Sequence, residues 1–395
     1  MLILGVETSC DETAASVVSF ETLGEPRVSP QVLSNVVASQ HDLHGRFGGV
    51  VPELASRRHV ERVEPVLRAA LEDAGVSLGD IGAVAVTRGP GLVIALLVGL
   101  SAAKALAWSR GIPLAGVHHL AGHIYSLFLG NPPGGEGQDS GALGGPPPFP
   151  HLALVVSGGH TDFYRVEEPD REVHLGGTLD DAAGEAYDKV GVAMGLGFPG
   201  GPQVDKLHAA FYAEARAGEA PVGLPRPYLE DKLYQFSFSG LKTAAFMYLR
   251  ERGYYRDDPS LAPWARPGGM PAGEAKALAA GFQEAVVDVL VEKTARALKA
   301  QRLKAVSVSG GVAANRWLRE SLAQRAQASG WTLHLPARCY CTDNAAMIAC
   351  AGSFALGRQG GAPGMDYLEL DADPAWELDS PGGVSVARKK SRGRG

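Results

Sequence analysis

The tetrapeptide Val-Ser-Gly-Gly occurs twice, as Val156-Ser157-Gly158-Gly159 and again as Val308-Ser309-Gly310-Gly311. In each copy a run rich in β-branched residues precedes the serine, which favours a buried strand. The paired glycines permit φ values and a close backbone approach that larger residues resist. A strand running into such a turn bares backbone amides, and bared amides suit an anion. One copy alone reads equally well as a tight turn. Two copies in matching contexts point to two related phosphate-handling turns, one in each half of the chain.

Strand and helix patterns alternate around both turns. Residues 3–8 and 14–20 read as strands joined by the polar corner Ser9-Cys10-Asp11-Glu12-Thr13, a hairpin with two carboxylates at its tip. A helical pattern over 52–75 carries Arg57, Arg58, His59 and Arg62. A strand over 81–87 then ends at Arg88-Gly89-Pro90-Gly91, and an apolar helix follows to about Ser109. A long amphipathic helix over 274–301 leads into the second Val-Ser-Gly-Gly strand, and alternation continues to Leu335. This βα pattern in both halves argues for α/β layers with the ligand held between two lobes.

A chain of 395 residues can bury a large core and should split into two or three domains. Its 45% hydrophobic and 20% charged residues describe an ordinary globular protein, and the net charge of -6 leaves nucleic-acid binding to local basic surface. Cys10, Cys339, Cys341 and Cys350 form no CxxC pair, which speaks against a zinc knuckle or a disulfide scaffold. With no secretory signal after Met1, the cytoplasm is the expected compartment. The apolar stretch Leu92 to Leu100, followed by Lys104, reads as a buried helix rather than a membrane span. Residues 131–150, dominated by glycine and proline, read as a flexible insertion near a lobe boundary, and 253–273 as a second irregular stretch. The tail carries Arg388, Lys389, Lys390, Arg392 and Arg394, either as a solvated end or as a polyanion contact.

His119 and His123 stand four apart and on a helix project from one face, where they can share one metal. The best third ligand is Asp343, just before the apolar helix 345–356. Two histidines and a carboxylate with open positions suit iron(II) or zinc. The plainer alternative makes the histidines surface or capped residues and Asp343 a helix N-cap. Asp180, Asp181, Glu185, Asp188 and Lys189 precede Gly200-Gly201 and Asp205. Such carboxylates beside a glycine turn can hydrogen-bond a ribose or an ammonium group, or can simply form a charged helix face. Asn315 either caps a helix or bonds a nucleotide.

Together these segments resemble the tRNA threonylcarbamoyladenosine family, the tRNA N6-adenosine threonylcarbamoyltransferases formerly called O-sialoglycoprotein endopeptidases. The resemblance is carried by Gly5 to Thr13, Gly49 to Arg57, the His119/His123 segment, Val156 to Thr161 and Gly184 to Lys189. Phe236 to Thr243, Gly310 to Asn315 and Cys341 to Asn344 complete it. These motifs stand in the family's order over about residues 1 to 358. The stretches 131–150 and 253–273 look longer than the family's, and the extension beyond about Gly361 lies outside the resemblance.

The resemblance implies an α/β, two-lobed fold shared by actin, heat-shock chaperone ATPases and sugar kinases, with duplicated βββαβα cores. The implied N-terminal lobe is 1–130, with the helix at about 343–358 packing back on it. The insertion 131–150, a C-terminal lobe over 151–342 and the extension 359–395 complete the chain. The implied reaction moves a threonylcarbamoyl group from threonylcarbamoyl-AMP to N6 of adenosine 37 in tRNAs reading ANN codons, releasing AMP. By similarity His119, His123 and Asp343 bind one divalent metal, usually iron(II), with zinc the other possibility. Val155, Val156, Ser157, Gly158, Gly159, Asp188, Gly201, Asp205 and Asn315 bind the adenylate, and Asp11 orients N6 or accepts its proton. The implied partners are tRNA, a paralogous TsaB-like subunit without the metal motif and a TsaE-like ATPase, with a threonylcarbamoyl-AMP synthase supplying the donor. The rival readings are a metallopeptidase, a small-molecule kinase or carbamoyltransferase of the same superfold, and an adenylate-binding scaffold. The segment from His119 to His123 lacks the glutamate that a peptidase of the His-Glu-x-x-His type uses as base.

Overall fold

Two mixed sheets repeat one topology strand for strand in the computed structural model. It describes residues 1–132, 143–214, 218–256, 258, 268–358 and 367–378, with the backbone alone of 384–387. The basic run 388–395 and parts of both glycine- and proline-rich stretches, 133–142 and 259–267, lie outside the described residues. In the first half, β1 (Leu2–Glu7), β2 (Glu12–Ser19) and β3 (Gln31–Ser39) pair antiparallel, while β4 (Ile81–Gly89) and β5 (Leu114–His118) add in parallel beyond β1. The order is β3-β2-β1-β4-β5. In the second half, β6 (His151–Val156), β7 (Thr161–Glu168), β8 (Arg171–Gly177), β9 (Ala305–Ser309) and β10 (Thr332–His334) give β8-β7-β6-β9-β10 with the same strand senses. This is the expected duplicated βββαβα core, and with it the two-lobed fold of actin, chaperone ATPases and sugar kinases. A further strand, β11 (Val384–Ala387), pairs antiparallel with the free edge of β5; at the corresponding end of the second sheet the described residues show only an isolated antiparallel bridge, Leu143 to Leu335.

The parallel strands are buried on both faces, as a sheet covered by helices on each side requires. The edge strand β3 alternates instead, with Val32 and Ser34 inward and their neighbours less covered. Short α1 (His41–His44) follows it, and α2 (Pro52–Asp73) begins with proline at its first turn, where no amide donor is needed. In helix α3 (Val93–Arg110), long and apolar enough to cross a membrane by length and composition alone, Ala95, Leu96, Gly99, Leu100, Ala103 and Ala107 are buried. The expected buried helix is buried on part of its surface, and Val93, Ile94, Leu97 and Trp108 are exposed. Its contacts run chiefly to α2 and β4.

The later helices are α4 (His119–Tyr125), α5 (Ala183–Ala193), α6 (Gly201–Glu214), α7 (Ser239–Glu251), α8 (Ala272–Gln301), α9 (Arg316–Ser329) and α10 (Ala345–Arg358). α8 runs through the second half's core, which gathers Leu154, Phe163, Tyr187, Phe282 and Val308. Helix α10 comes after the second sheet in sequence yet packs on β1, β4 and α4. Small residues permit that approach. A Cβ added at Gly352 would lie 2.7 Å from Cβ of Ala85, and one at Gly5 only 2.1 Å from the Ala345 carbonyl oxygen. Residues 367–378 also fold back, burying Tyr367, Leu370 and Leu378.

Candidate active site

β1 ends in Glu7, a fully buried carboxylate beneath the polar corner. Thr87 on β4 donates to it at 2.6 Å, the Ser9 amide donates to its other oxygen, and Nδ1 of His119 lies 3.0 Å away. β5 delivers His118, whose ring accepts from the Leu120 amide and so starts α4 one residue before His119. The helix then sets the rings of His119 and His123 at 4.8 Å between centroids. With Nδ1 of His119 facing Glu7, its Nε2 lies 3.5 Å from Oδ1 of Asp343, and Nε2 of His123 lies 3.2 Å from the same oxygen. His123 is fully buried; its Nε2 faces Asp343, and its Nδ1 has no hydrogen-bond partner among the described residues.

Asp343 does not cap α10. Asn344 does, accepting from the Met347 amide at 3.0 Å, which leaves the aspartate one residue outside the helix and turned towards the histidines. One ligand atom from each of His119, His123 and Asp343 falls within 4.8 Å of the others, a group able to hold a metal ion. Burial works against a charged His119, but Asp343 and Glu7 outweigh it and push its pKa up to about 9. Burial lowers that of His123. A pocket so rich in negative charge favours a cation.

A second such group, Asp11, Glu12 and His41, stands at the hairpin tip. His41 Nε2 lies 3.2 Å from Glu12 and 4.0 Å from Asp11. Burial pushes Glu12 up to about 8, with the His41 hydrogen bond opposing. Asp11, Glu12, His41, His119 and Asp343 line a cleft of about 560 Å³ together with Ser157, Gly158, Gly159, Asp188 and Gly311, and His123 lies buried behind it. The two Ser-Gly-Gly turns therefore reach one cavity, but they are built differently. Gly158 and Gly159 are exposed, neither has a left-handed φ, and the space beside each Cα is open. Their turn closes through the Ser157 amide donating to the His160 carbonyl at 2.8 Å and the His160 amide donating to Oγ of Ser157. In the second copy only Gly310 is left-handed, at φ 93°, and a Cβ there would meet the Val156 carbonyl oxygen at 2.4 Å. That glycine seats β9 against β6.

The other anticipated residues sit around this cleft at different depths. Val155 and Val156 are buried in β6 beneath the turn. One oxygen of Asp188 accepts from the amides of Gly200, at 2.8 Å, and Gly201, at 3.4 Å. Gly201, Asp205 and Asn315 do not line the cavity. Asp205 accepts from Nε2 of Gln283 at 2.9 Å, and Oε1 of Gln283 accepts from Nδ2 of Asn315 at 2.8 Å. Oδ1 of Asn315 caps α9 through the Leu318 amide. Asp180 and Asp181 are internal staples. Asp180 accepts from the amides of Phe238 and Ser239 at the start of α7, and Asp181 is held by Lys189, Lys242 and Ser239. Lys189 pushes its carboxyl down to about 2, against the upward effect of burial.

Sequence reasoning missed Glu7, Gln283 and His41. Gln283 interrupts the apolar side of α8 where Ala279, Ala280, Phe282 and Val286 are buried, and a polar residue on such a face is the one signal that pointed to it. Glu7 stood in plain view within a strand pattern, but nothing in alternation distinguishes a buried carboxylate from a solvated one.

The sequence model of the TsaD family, described as tRNA N6-adenosine threonylcarbamoyltransferase, matches residues 31–350. A tRNA N6-adenosine threonylcarbamoyltransferase of Bacillus subtilis is 48% identical over 381 residues, 96% of each chain. That of Symbiobacterium thermophilum is 51% identical over 354 residues, covering 89% of this chain and 91% of its own. The match to the Bacillus protein is too long to stop at residue 358, where the motif resemblance ends, so part of the C-terminal extension is shared. Similarity of this extent, over the same segments that fold into the cleft, means that the chain belongs to the tRNA N6-adenosine threonylcarbamoyltransferase family.

Proposed function

We propose that this cleft transfers the threonylcarbamoyl group from threonylcarbamoyl-AMP to N6 of adenosine 37 in tRNAs reading ANN codons. The products are N6-threonylcarbamoyladenosine and AMP. The observation that carries the reading is the convergence of His119 and Asp343, backed by the buried His123, with Asp11 and the Ser157 to Gly159 turn on one cavity. His123, buried with Nδ1 unpartnered among the described residues and Nε2 turned to the same carboxylate oxygen as Nε2 of His119, fits a metal ligand better than a structural histidine. Two imidazoles and one carboxylate suit one iron(II) per subunit, with zinc the alternative. Bound there, the ion supplies positive charge beside the donor's oxygens.

The remaining work falls to the chain itself. Adenine N6 is a poor nucleophile because its lone pair is delocalised into the ring, so placement against the carbamoyl carbon is the main demand. A bond forms between N6 and that carbon, the bond to the phosphate oxygen breaks with AMP taking the electron pair, and N6 gives up one proton. Asp11, 7% exposed at the hairpin tip, orients the amine or accepts that proton. The exposed Gly158–Gly159 turn receives the phosphate. Asp188 holds the Gly200-Gly201 corner, and the Asp205–Gln283–Asn315 chain stands on the nucleoside side.

Arg57, Arg58 and Arg62 on α2 give tRNA a basic track, and binding through them weakens with salt. The reaction is cytoplasmic and uses a TsaB-like subunit, a TsaE-like ATPase and a synthase for the donor. The test is mass spectrometry of nucleosides from tRNA incubated with the chain, its partners, threonine, bicarbonate and ATP. Threonylcarbamoyladenosine should form with wild type and not with His119→Ala. Failure of wild type, with adenylate supplied directly, would send the assignment to another group transfer.

A further inference from the structure

A second cavity, of about 790 Å³, lies beside the catalytic cleft, and Pro90 and His160 line both. One side is the outer part of β7 and β8, with Asp162, Tyr164, Val173 and His174, and another is the C-terminal segment around Trp376. This segment is fastened to the first sheet. The Asp373 amide donates to the Arg88 carbonyl at 2.9 Å, the Trp376 carbonyl lies 2.9 Å from Nε2 of His118, and the Arg88 guanidinium sits 4.8 Å from the centre of the Trp376 ring. Trp376 is thus held in place by Arg88 and His118, which directly precede Gly89-Pro90 and His119, and Pro90 and His119 line the cleft.

The chemistry of the walls narrows what can enter. Trp376, His174 and Tyr164 offer aromatic surface, with the last two rings 5.1 Å apart. Asp162, 3.0 Å from Nε2 of His174, and Glu377 offer acceptors, and among the described residues no lysine or arginine lines the cavity. Phosphate is repelled from such a site. A flat base carrying an amino group suits it, because bases stack on aromatic side chains and amino groups need acceptors.

We propose that this second cavity is the subsite for the acceptor base: an adenine turned out of a single-stranded RNA loop, stacked against Trp376, with its exocyclic amine directed past His160 and Pro90 into the cleft. An enzyme that modifies a base must take it out of its stack, and a carboxylate-lined pocket leaves the phosphates of the loop at the rim. The proposal rests on the transfer reading above and adds the place from which the nucleophile enters.

The test uses the full chain with its partners and an anticodon stem-loop RNA. With 2-aminopurine at position 37, fluorescence should be quenched on binding to wild type, and much less on binding to Trp376→Ala. Because Trp376→Ala can loosen the C-terminal segment, Val173→Trp is the second variant. Val173 is 38% exposed on β8, and the larger ring fills the cavity without entering a core. With adenosine at position 37, both variants should raise KM for the RNA about tenfold and leave donor affinity unchanged. Wild-type KM in Val173→Trp, or equal quenching in wild type and Trp376→Ala, would overturn the subsite. Quenching does not depend on turnover, so it decides the subsite even if wild type transfers nothing, an outcome that sinks the transfer reading instead.

Discussion

Glu7 and His119 meet at the end of β1, with Oε2 of the buried carboxylate 3.0 Å from Nδ1 of the imidazole. The contact fixes which nitrogen of His119 faces Asp343 and raises the basicity of that ring. Glu7→Gln keeps the shape of the side chain and removes its charge. Metal affinity, measured by competition with a chelator, should fall about 10- to 100-fold. An unchanged affinity would reduce Glu7 to a residue that only supports the corner.

Asp343 and Asn344 are neighbours with separate jobs. Asn344→Ala removes the cap of α10 and should cost about 1 kcal/mol of stability, seen as a lower denaturation midpoint with metal still bound. Asp343→Ala should instead release the metal on dialysis while the α10 cap stays intact. If both variants lose metal equally, the two roles are not separable.

Much of this was written locally. The β-branched runs before Ser157 and Ser309, the i, i+4 spacing of His119 and His123, and the proline opening α2 each depend on a few adjacent residues, and each appears in the fold where the pattern puts it. What could not be read depends on residues distant in sequence. Gln283 bridges Asp205 and Asn315, and Arg88 anchors a segment near residue 373. For α3 the apolar sequence pointed to burial without saying which residues stay exposed, because burial depends on what packs against a helix and not on its composition. The two Ser-Gly-Gly copies look alike in sequence, yet only Gly310 is pressed against another strand.

Gly5 is a position where sheet and helix nearly touch. A Cβ there would lie 2.1 Å from the carbonyl oxygen of Ala345, two residues from Asp343. Gly5→Ala must push α10 outward, costing roughly 1–3 kcal/mol and weakening metal binding together with stability. Gly273→Ala is the control, since nothing lies within 4 Å of its Cβ position in the first turn of α8. Thermal denaturation and metal titration of both variants check this, and a Gly5→Ala protein with wild-type values would show that α10 shifts at no cost.

Glu172 on β8 is fully buried and accepts from the hydroxyl of Tyr125, at the end of α4, so it ties the second sheet to the helix that carries both histidines. Its other oxygen has no partner among the described residues. Burial pushes its pKa up to about 7, with the Tyr125 hydrogen bond opposing; Asp170 adds to the rise and Arg358 reduces it. An unfolded glutamate titrates near 4.5, so between that pH and about 7 the folded chain binds more protons than the unfolded one. Stability from this group is therefore greatest below the window and declines as pH rises through it, by on the order of 2–3 kcal/mol. Glu172→Gln cannot ionise and should lose none of it. Denaturation midpoints of the two proteins at pH 5 and pH 8 isolate the effect, because Asp170, raised to about 6 by burial, is common to both. The glutamine variant should gain on wild type between those two pH values. A constant difference would mean that Glu172 stays ionised in the fold, its charge held by Tyr125 and Arg358.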